Sequence, residues 1–162
     1  MHDIDSAPPV DRDDMVDAVL TASRVLVAIA ARSLADVGED VTLTQYRTLV
    51  ILASRGPQNL AALAEAVAVT PPTASRLCER LVRKGLVRRR TDRNDRRQVR
   101  IALSEAGQTL VDAVTVRRRQ EITDLLASIP AEEQRSVVAA LRRLSAGAGE
   151  VPERDWSSGW DL

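Results

Sequence analysis

Arginine and lysine residues are concentrated in the middle of the chain, where their side chains could bind a polyanion. Residues 76–100 contain 11 of them and three acidic residues, a formal charge of +8 in a chain whose net charge is zero. Such an asymmetry is typical of a phosphate-binding surface. A basic run can also be only the solvated face of a helix, so charge alone leaves both interpretations open.

Residues that usually carry enzyme chemistry are scarce. His2, the single histidine, lies in an acidic leader that contains two prolines, and Cys78 is the single cysteine. One cysteine excludes an internal disulfide and a cysteine-rich zinc site. Because the sequence also has no glycine-rich phosphate loop and no nucleophile–base pattern, we expect no enzyme, with no catalytic residues, no metal and no cofactor.

Cys78 itself has two interpretations. Neighbouring arginines would lower the pKa of its thiol, which would favour a redox sensor. Its position on the same helix face as Leu77 and Leu81 favours packing in the core instead. We expect the packing role.

The small number of aromatic residues indicates which class of nucleic acid the basic segment could bind. They are Tyr46, Trp156 and Trp160, and the chain has no phenylalanine. Proteins that bind single strands or RNA usually stack bases on aromatic side chains, whereas polar and cationic side chains read the grooves of double-stranded DNA. We therefore expect double-stranded DNA as the partner. Tyr46 is expected in the core or at an effector cavity, and the tryptophans could dock onto the body or a partner subunit.

Nothing in the sequence points to a membrane partner. We find no apolar run of membrane-spanning length, and the acidic N-terminus lacks the apolar core of a signal peptide. The expected protein is therefore cytoplasmic, with no membrane contact.

Four helices are predicted up to the first part of the basic segment, from the helical spacing of apolar residues and from capping residues at their starts. Thr42 and Gln45 form a capping box, and Asn59 caps the third helix. Thr70 caps the fourth helix, which has Pro71 at its first position. The predicted helices span residues 13–37, 43–55, 60–67 and 71–84.

The third and fourth helices form a predicted helix-turn-helix, because only a few residues separate them. The fourth helix has an apolar inner stripe that includes Leu77 and Leu81, and a polar, cationic outer face. Strands at about 86–91 and 98–103 follow, joined by the cationic turn 92–97. In the second strand Val99, Ile101 and Leu103 alternate with Gln98, Arg100 and Ala102, a period that predicts a half-exposed strand. Helix, helix and hairpin in this order predict a winged helix-turn-helix.

Two further helices complete the predicted fold. Ser104 caps one that reaches about Ala127, and another ends near Leu144, with Arg142 and Arg143 in its last turn. The first, fifth and sixth helices carry more apolar surface than one small domain can cover, which predicts burial against a second copy. The fold class is mainly α with a small β-hairpin wing. Its parts are a disordered leader (1–11), a winged helix-turn-helix (about 42–103), dimerisation helices (about 12–37 and 104–145) and a polar tail (146–162).

The stretch after the fourth helix carries the most specific motif. Residues 85–89 (GLVRR), 92–97 (DRNDRR) and 99–107 (VRIALSEAG) resemble the wing of the MarR family of bacterial regulators, in which "DxxDRR" precedes an apolar strand and a "Leu-Thr-x-x-Gly" helix start. Ser104 stands where threonine is usual. The preceding LAEAVAVTPPTASRLCERLVRKGLV resembles the family's helix-turn-helix, and the resemblance covers roughly residues 12–145.

This resemblance implies a homodimer whose terminal helices interdigitate and whose two winged domains bind a pseudo-palindromic operator. It implies a repressor of transcription. It also implies a small, often phenolic or anionic, effector that binds between the dimer helices and the winged domain and shifts the dimer to a spacing unable to reach both half-sites.

The expected DNA contacts lie on the fourth helix and on the wing. We expect Arg76 to bind a guanine edge with two hydrogen bonds, and Arg80 and Arg83 to bind phosphates. Arg93 and Arg96 are candidates for the minor groove. The full set of expected DNA-binding residues is Thr70, Pro72, Thr73, Ser75, Arg76, Arg80, Arg83, Arg93, Asp95, Arg96 and Arg97.

Three of these positions have specific expectations attached. Asp95 and Arg97 resemble the family's Asp-x-Arg pair, in which the carboxylate shapes the turn and orients the arginine. An ordinary charged turn is the alternative. Thr70, as a helix cap, would satisfy a backbone amide with or without DNA.

Two other functions remain open from the sequence. A nonspecific architectural DNA-binding protein would need the same positive charge, but not the polar residues Thr73, Ser75 and Arg76 at the start of the fourth helix. A helical protein-interaction module would need no arginine-rich hairpin. Both features therefore favour a sequence-specific regulator.

Overall fold

The computed structural model describes residues 10–37, 40–91 and 99–156. The leader 1–9, the turn 92–98 and Trp160 lie outside these described residues, as do the expectations attached to them. The mainly helical architecture with one antiparallel hairpin confirms the predicted fold class. In chain order, the elements are α1 (Arg12–Asp36), α2 (Leu43–Arg55), α3 (Leu60–Val67), α4 (Pro71–Arg83), β1 (Val87–Thr91), β2 (Val99–Leu103), α5 (Glu105–Leu126), α6 (Ala131–Gly147) and a short 3-10 helix (Glu153–Asp155).

Local capping explains where most helices begin. The Thr42 hydroxyl accepts from the Gln45 amide at 3.2 Å, and the Gln45 side chain accepts from the Thr42 amide at 3.0 Å, which completes the predicted capping box. Asn59 caps α3 through the Ala62 amide at 2.8 Å, and Ser104 caps α5 through its bond to the Gly107 amide at 3.0 Å. These three predicted caps are confirmed.

The end of α6 differs from the prediction. The helix continues to Gly147, so Arg142 and Arg143 do not lie in its last turn. It stops where Gly149 takes a left-handed backbone conformation, with φ of +69°. Ser145, Ala146 and Gly147 continue the helix, because no proline and no left-handed residue interrupts the chain before Gly149.

Strands β1 and β2 pair antiparallel, from Val87 opposite Leu103 to Thr91 opposite Val99. On its other edge β2 forms a bridge between Ile101 and Gln58, with hydrogen bonds of 2.7 and 2.9 Å. The expectation of a half-exposed, alternating β2 was wrong, since Ile101 and the adjacent Ala102 are both buried. Both α2 and α3 contact β2, so the strand is covered on more than one side.

The core is built around α2, which contacts α1, α3, α5 and β2. Residues from several elements are fully buried in this core, among them Leu49, Leu63, Leu81 and Val111. The hairpin is joined to α5 by a close approach at Gly107, where a Cβ atom would overlap the Leu86 carbonyl oxygen. The glycine of the helix-start motif thus has a packing reason in this chain.

The terminal helices are poorly covered within the protomer. In α1 the buried residues are Ile29, Ser33 and Leu34, all in its C-terminal half, and no residue of α6 is buried. The exposed apolar residues of α1, α5 and α6 include Met15, Val16, Val19, Leu20, Val25, Leu26, Val27, Val116, Leu125, Leu126, Val138, Leu141 and Leu144.

By length and composition α1 could span a membrane, with a mean hydropathy of 1.6 over its most apolar window. The expectation that no apolar run reaches this length was therefore wrong. The helix nevertheless carries Arg24 and Arg32, and an arginine at the centre of a spanning helix costs about 2.5–3.5 kcal/mol. Arg32 is paired with Glu121 of α5 at 2.7 Å, as expected of a helix that packs on protein.

Candidate nucleic-acid interface

The buried and the exposed residues of α4 lie on opposite faces of the helix, as the sequence predicts. Ala74, Leu77, Cys78 and Leu81 are buried against the core. The opposite face is exposed and carries Thr73, Arg76, Arg80 and Arg83. Among the described residues, none of these three arginines has an ion-pair partner. The face is therefore a row of cations that the protein does not neutralise from within the described part of the chain.

The first turn of α4 is built differently from the prediction. Thr70 occupies the N-cap position, but its side chain makes no bond to a backbone amide. Its hydroxyl instead lies 2.9 Å from the Thr73 hydroxyl. Pro71 and Pro72 have no amide hydrogen, so this turn has fewer donors that need a cap. The expectation that Thr70 satisfies an orphan amide was wrong, and both threonine hydroxyls lie exposed at the start of the helix.

Ser75 is less open than its neighbours. It is half-buried, and its hydroxyl donates to the Glu79 carboxylate at 3.2 Å, one helical turn later. Glu79 is exposed and places a negative charge beside the cationic row. The structure thus brings Thr70, Pro72 and Thr73 to one exposed edge, with Ser75 set back from it.

The strands of the hairpin extend the cationic surface. Arg88, Arg89 and Arg90 follow one another on β1, and the register places Arg90 directly opposite Arg100 of β2. Like charges opposite one another repel unless other groups compensate them. Arg100 also donates to the Pro57 carbonyl at 3.3 Å. These strand arginines were not among the residues expected to contact DNA, although the charge of residues 76–100 already included them.

The predicted wing residues Arg93, Asp95, Arg96 and Arg97 lie in the turn 92–98, outside the described part of the chain. Their role stays a prediction.

Cys78 lies in the core, with 1% of its surface exposed. Burial raises the pKa of the Cys78 thiol, Arg89 opposes this shift, and Glu79 adds to it. The arginine effect expected from the sequence is present, but it is not dominant. The packing role predicted for Cys78 is consistent with this environment.

Tyr46 is buried, and its hydroxyl has no hydrogen-bond partner among the described residues. A groove of about 520 Å³ lies between the end of α1 and the start of α5. Val37 contributes to the groove from the end of α1, and Glu105, Thr109 and Ala113 contribute from α5. Tyr46 is not among the lining residues, so the structure gives it a core position.

Comparison with known proteins agrees with this arrangement. Residues 41–99 match the family model of the MarR family. The chain is 35% identical over 104 residues to the HTH-type transcriptional repressor NicR of Pseudomonas putida, an alignment that covers 64% of this chain and 66% of NicR.

Two solved structures are also similar. The crystal structure of Rv1404 from Mycobacterium tuberculosis is 40% identical, with a TM-score of 0.81, over 90% of this chain and 99% of Rv1404. A point mutant of MepR from Staphylococcus aureus, solved bound to an oligodeoxyribonucleotide, is 26% identical, with a TM-score of 0.58, over 83% of this chain and 97% of MepR.

Proposed function

The chain belongs to the MarR family of DNA-binding transcriptional regulators, and from that premise we propose that it is a homodimeric repressor that binds a pseudo-palindromic operator. The observation that carries the proposal is the exposed cationic row of α4, which has no ion-pair partner among the described residues and lies beside an arginine-rich hairpin. The similarity to a named repressor, NicR, supports the direction of control.

In this proposal, different residues of α4 contact bases and phosphates. Arg76 lies on the exposed face within the first two turns, where a helix docked in the major groove reaches base edges, and it reads a guanine. Thr73 contacts a base edge or a phosphate. Arg80 and Arg83 lie further along the same face and bind phosphates, which position the helix without reading sequence.

The wing supplies the second contact. Arg93 and Arg96 enter the minor groove beside the half-site, and Asp95 orients Arg97 toward the backbone. Arg90 and Arg100, opposite each other on the paired strands, bring further positive charge to the same phosphates.

A second copy of the chain covers the exposed apolar faces of α1, α5 and α6. The argument is energetic, since apolar side chains such as Leu20, Leu26, Leu141 and Leu144 would otherwise remain in water. Interdigitated terminal helices bury these faces across a twofold axis and hold two α4 helices about one turn of DNA apart. This interpretation also accounts for the apolar character of α1 without a membrane, and it places the protein in the cytoplasm with its DNA.

Release from the operator follows the binding of a small phenolic or anionic compound between the dimer helices and the winged domain. We assign this ligand to the groove between the end of α1 and the start of α5, the helix that directly follows the hairpin. A ligand held there favours one separation of the two winged domains over another, which shifts the dimer away from its DNA-binding state.

The test is a titration of fluorescent duplexes with the protein. One duplex carries the DNA upstream of the protein's own gene, the other a scrambled sequence, and each is measured at two salt concentrations. Tight binding to the first duplex alone, with one dimer per site, supports the proposal. Arg154→Ala is the matched control, because this exposed arginine pairs with its neighbour Asp155 and belongs neither to α4 nor to the hairpin. It is expected to leave binding unchanged.

Two outcomes would contradict the proposal. Equal binding to both duplexes, falling steeply with salt, indicates a nonspecific architectural protein whose affinity comes from phosphates. Absence of binding to either duplex at low salt favours a module that binds an acidic protein partner.

A further inference from the structure

The segment that follows α6 returns to the winged domain instead of leading away from it. We call residues 149–156 the C-terminal strap. Gly149, with φ of +69°, reverses the chain direction, and the Glu150 amide donates back to the Ser145 carbonyl at 3.0 Å. The strap therefore leaves α6 in a defined direction.

The strap is attached to α2 and α5 by three arginines. Arg47 donates from both terminal nitrogens to the Glu150 carboxylate, one of them at 3.2 Å. Arg55, at the end of α2, donates to the Gly149 carbonyl at 3.1 Å. On α5, Arg119 pairs with Glu153 at 2.7 Å.

Trp156 anchors the other end of the strap. Its side chain packs against the hydrophobic core, and its indole nitrogen donates to the Val151 carbonyl at 3.0 Å. A half-buried tryptophan with its donor satisfied contributes a large contact area. The strap is thus held by charge at its start and by apolar packing at its end.

Helix α6 has little else to hold it within the protomer. None of its residues is buried, so its direction depends on what covers Val138, Leu141 and Leu144 and on the strap at its C-terminus. Helix α2, where the strap docks, packs on α3, and α3 packs on α4. A continuous series of contacts therefore runs from the end of α6 to the recognition helix.

We propose that Glu150 and Trp156 are positioning residues for DNA binding, which couple the orientation of α6 to the winged domain and so fix the separation of the two recognition helices in the dimer. The inference rests on the homodimer proposed above. A dimer with a released strap keeps its two DNA-binding surfaces, but the winged domains sample a wider range of separations, of which only a part fits both half-sites.

The expected loss follows from this population. If roughly a tenth of the dimers with a released strap retain the correct separation, the apparent Kd for the full operator rises about tenfold. The Kd for a duplex with a single half-site stays unchanged, because one winged domain is intact. A residue that only stabilises the fold would weaken both duplexes together or neither.

The direct test measures the separation without DNA. A spin label is attached to Arg83→Cys in a Cys78→Ala background, and the distance between the two labels of a dimer is measured by double electron–electron resonance. We expect a narrow distance distribution that broadens in Glu150→Gln and in Trp156→Ala. The conservative variant Glu150→Asp keeps a carboxylate beside Arg47 and Arg55 and should retain a narrower distribution than Glu150→Gln. Asp155→Asn removes a carboxylate of the same strap that pairs with the neighbouring Arg154, and should change nothing.

The outcomes separate the inference from the proposal on which it rests. If the unsubstituted labelled protein shows no coupling between two labels, it is not a dimer. That result overturns the proposed assembly and this inference with it. A parent with a narrow distribution that stays narrow in both Glu150→Gln and Trp156→Ala overturns the strap's role alone. A broadened distribution with equal losses on the full operator and on the half-site also contradicts it.

Discussion

The guanidinium of Arg47 on α2 donates two hydrogen bonds to the carboxylate of Glu150, which lies 103 residues further along the chain. A bidentate pair of this kind is more directional than a single charge contact. It closes a loop of chain that contains the helix-turn-helix, the hairpin, α5 and α6. The contact therefore links the part of the protein that meets DNA to the helices that we assign to the dimer.

Acidification should release the strap. The hydrogen bond from Arg47 lowers the pKa of Glu150 from its ordinary value of 4.5, so the ionised carboxylate favours the docked strap. Its contribution is present above the pKa of the unfolded chain and is lost as the pH falls through the lower pKa of the folded chain. We expect Trp156 fluorescence, measured in a Trp160→Phe background, to be constant near neutral pH and to approach that of exposed indole below pH 4.5.

The control for this measurement is Glu150→Gln, in which the fluorescence change attributable to this carboxylate should be absent. Arg47 and Arg55 face Glu150 from α2. Glu153, paired with Arg119, is the other acid that attaches the strap, and it stays in place in both proteins. An identical pH profile in the two proteins would show that Glu150 does not control docking.

Gly107→Ala should destabilise the fold. The new Cβ would overlap the Leu86 carbonyl oxygen, and backbone at a strand start cannot move without disturbing the hairpin. We expect a loss of about 1–3 kcal/mol in the free energy of unfolding, measured by urea denaturation. Gly147→Ala, where a Cβ meets open space, is the control and should be neutral or mildly stabilising. Equal stabilities for the two variants would contradict the packing role of Gly107.

Most of the helix starts have local determinants and could be predicted from the sequence. Thr42 and Gln45 bond to each other's backbone across one turn, so the start of α2 could be predicted from four residues. Thr70 was placed at the correct position, but its bonding was mispredicted because the two prolines after it change what the turn needs.

Contacts between distant residues could not be predicted. No local sequence pattern predicts that Arg47 pairs with Glu150. For Trp156 the sequence left two docking sites open, the body of the protein or a partner subunit. Ala102 is buried because α2 and α3 contact β2. The alternation of residues within a five-residue strand cannot predict contacts with other elements. The apolar α1 is equally suited by composition to a membrane and to protein packing, and its contacts with α5 favour the second.

A charge on the apolar face of α6 should dissociate the proposed dimer. Leu141 is exposed in the protomer and lies between Val138 and Leu144 on one face. Leu141→Glu would bury an unpaired carboxylate in the proposed interface, so we expect monomers in light scattering coupled to size exclusion. Ser136→Glu adds the same charge on a different face of α6 and should leave the dimer intact. A dimeric Leu141→Glu protein would place the interface elsewhere.

The Cys78 thiol should be unreactive in the native protein. Burial raises its pKa, so little thiolate forms at neutral pH, and its surface is almost completely covered. We expect a thiol reagent such as dithiobis-nitrobenzoate to modify Cys78 only after addition of denaturant. Rapid modification of the folded protein, with loss of operator binding, would restore the redox interpretation.

Arg76 and Arg83 lie on the same face of α4, but their substitution should have different consequences. Arg76→Ala removes the side chain to which we assign a base contact, so it should weaken operator binding by about 1–3 kcal/mol and reduce the preference over a duplex changed at that base pair. Arg83→Ala removes the side chain to which we assign a phosphate contact, so it should weaken binding to specific and scrambled duplexes alike. It should also lower the slope of log affinity against log salt concentration by about one. Fluorescence anisotropy with both duplexes over a series of salt concentrations measures both effects. The assignment fails if Arg76→Ala reduces binding to the two duplexes equally, because the base contact would then belong to another residue of the interface.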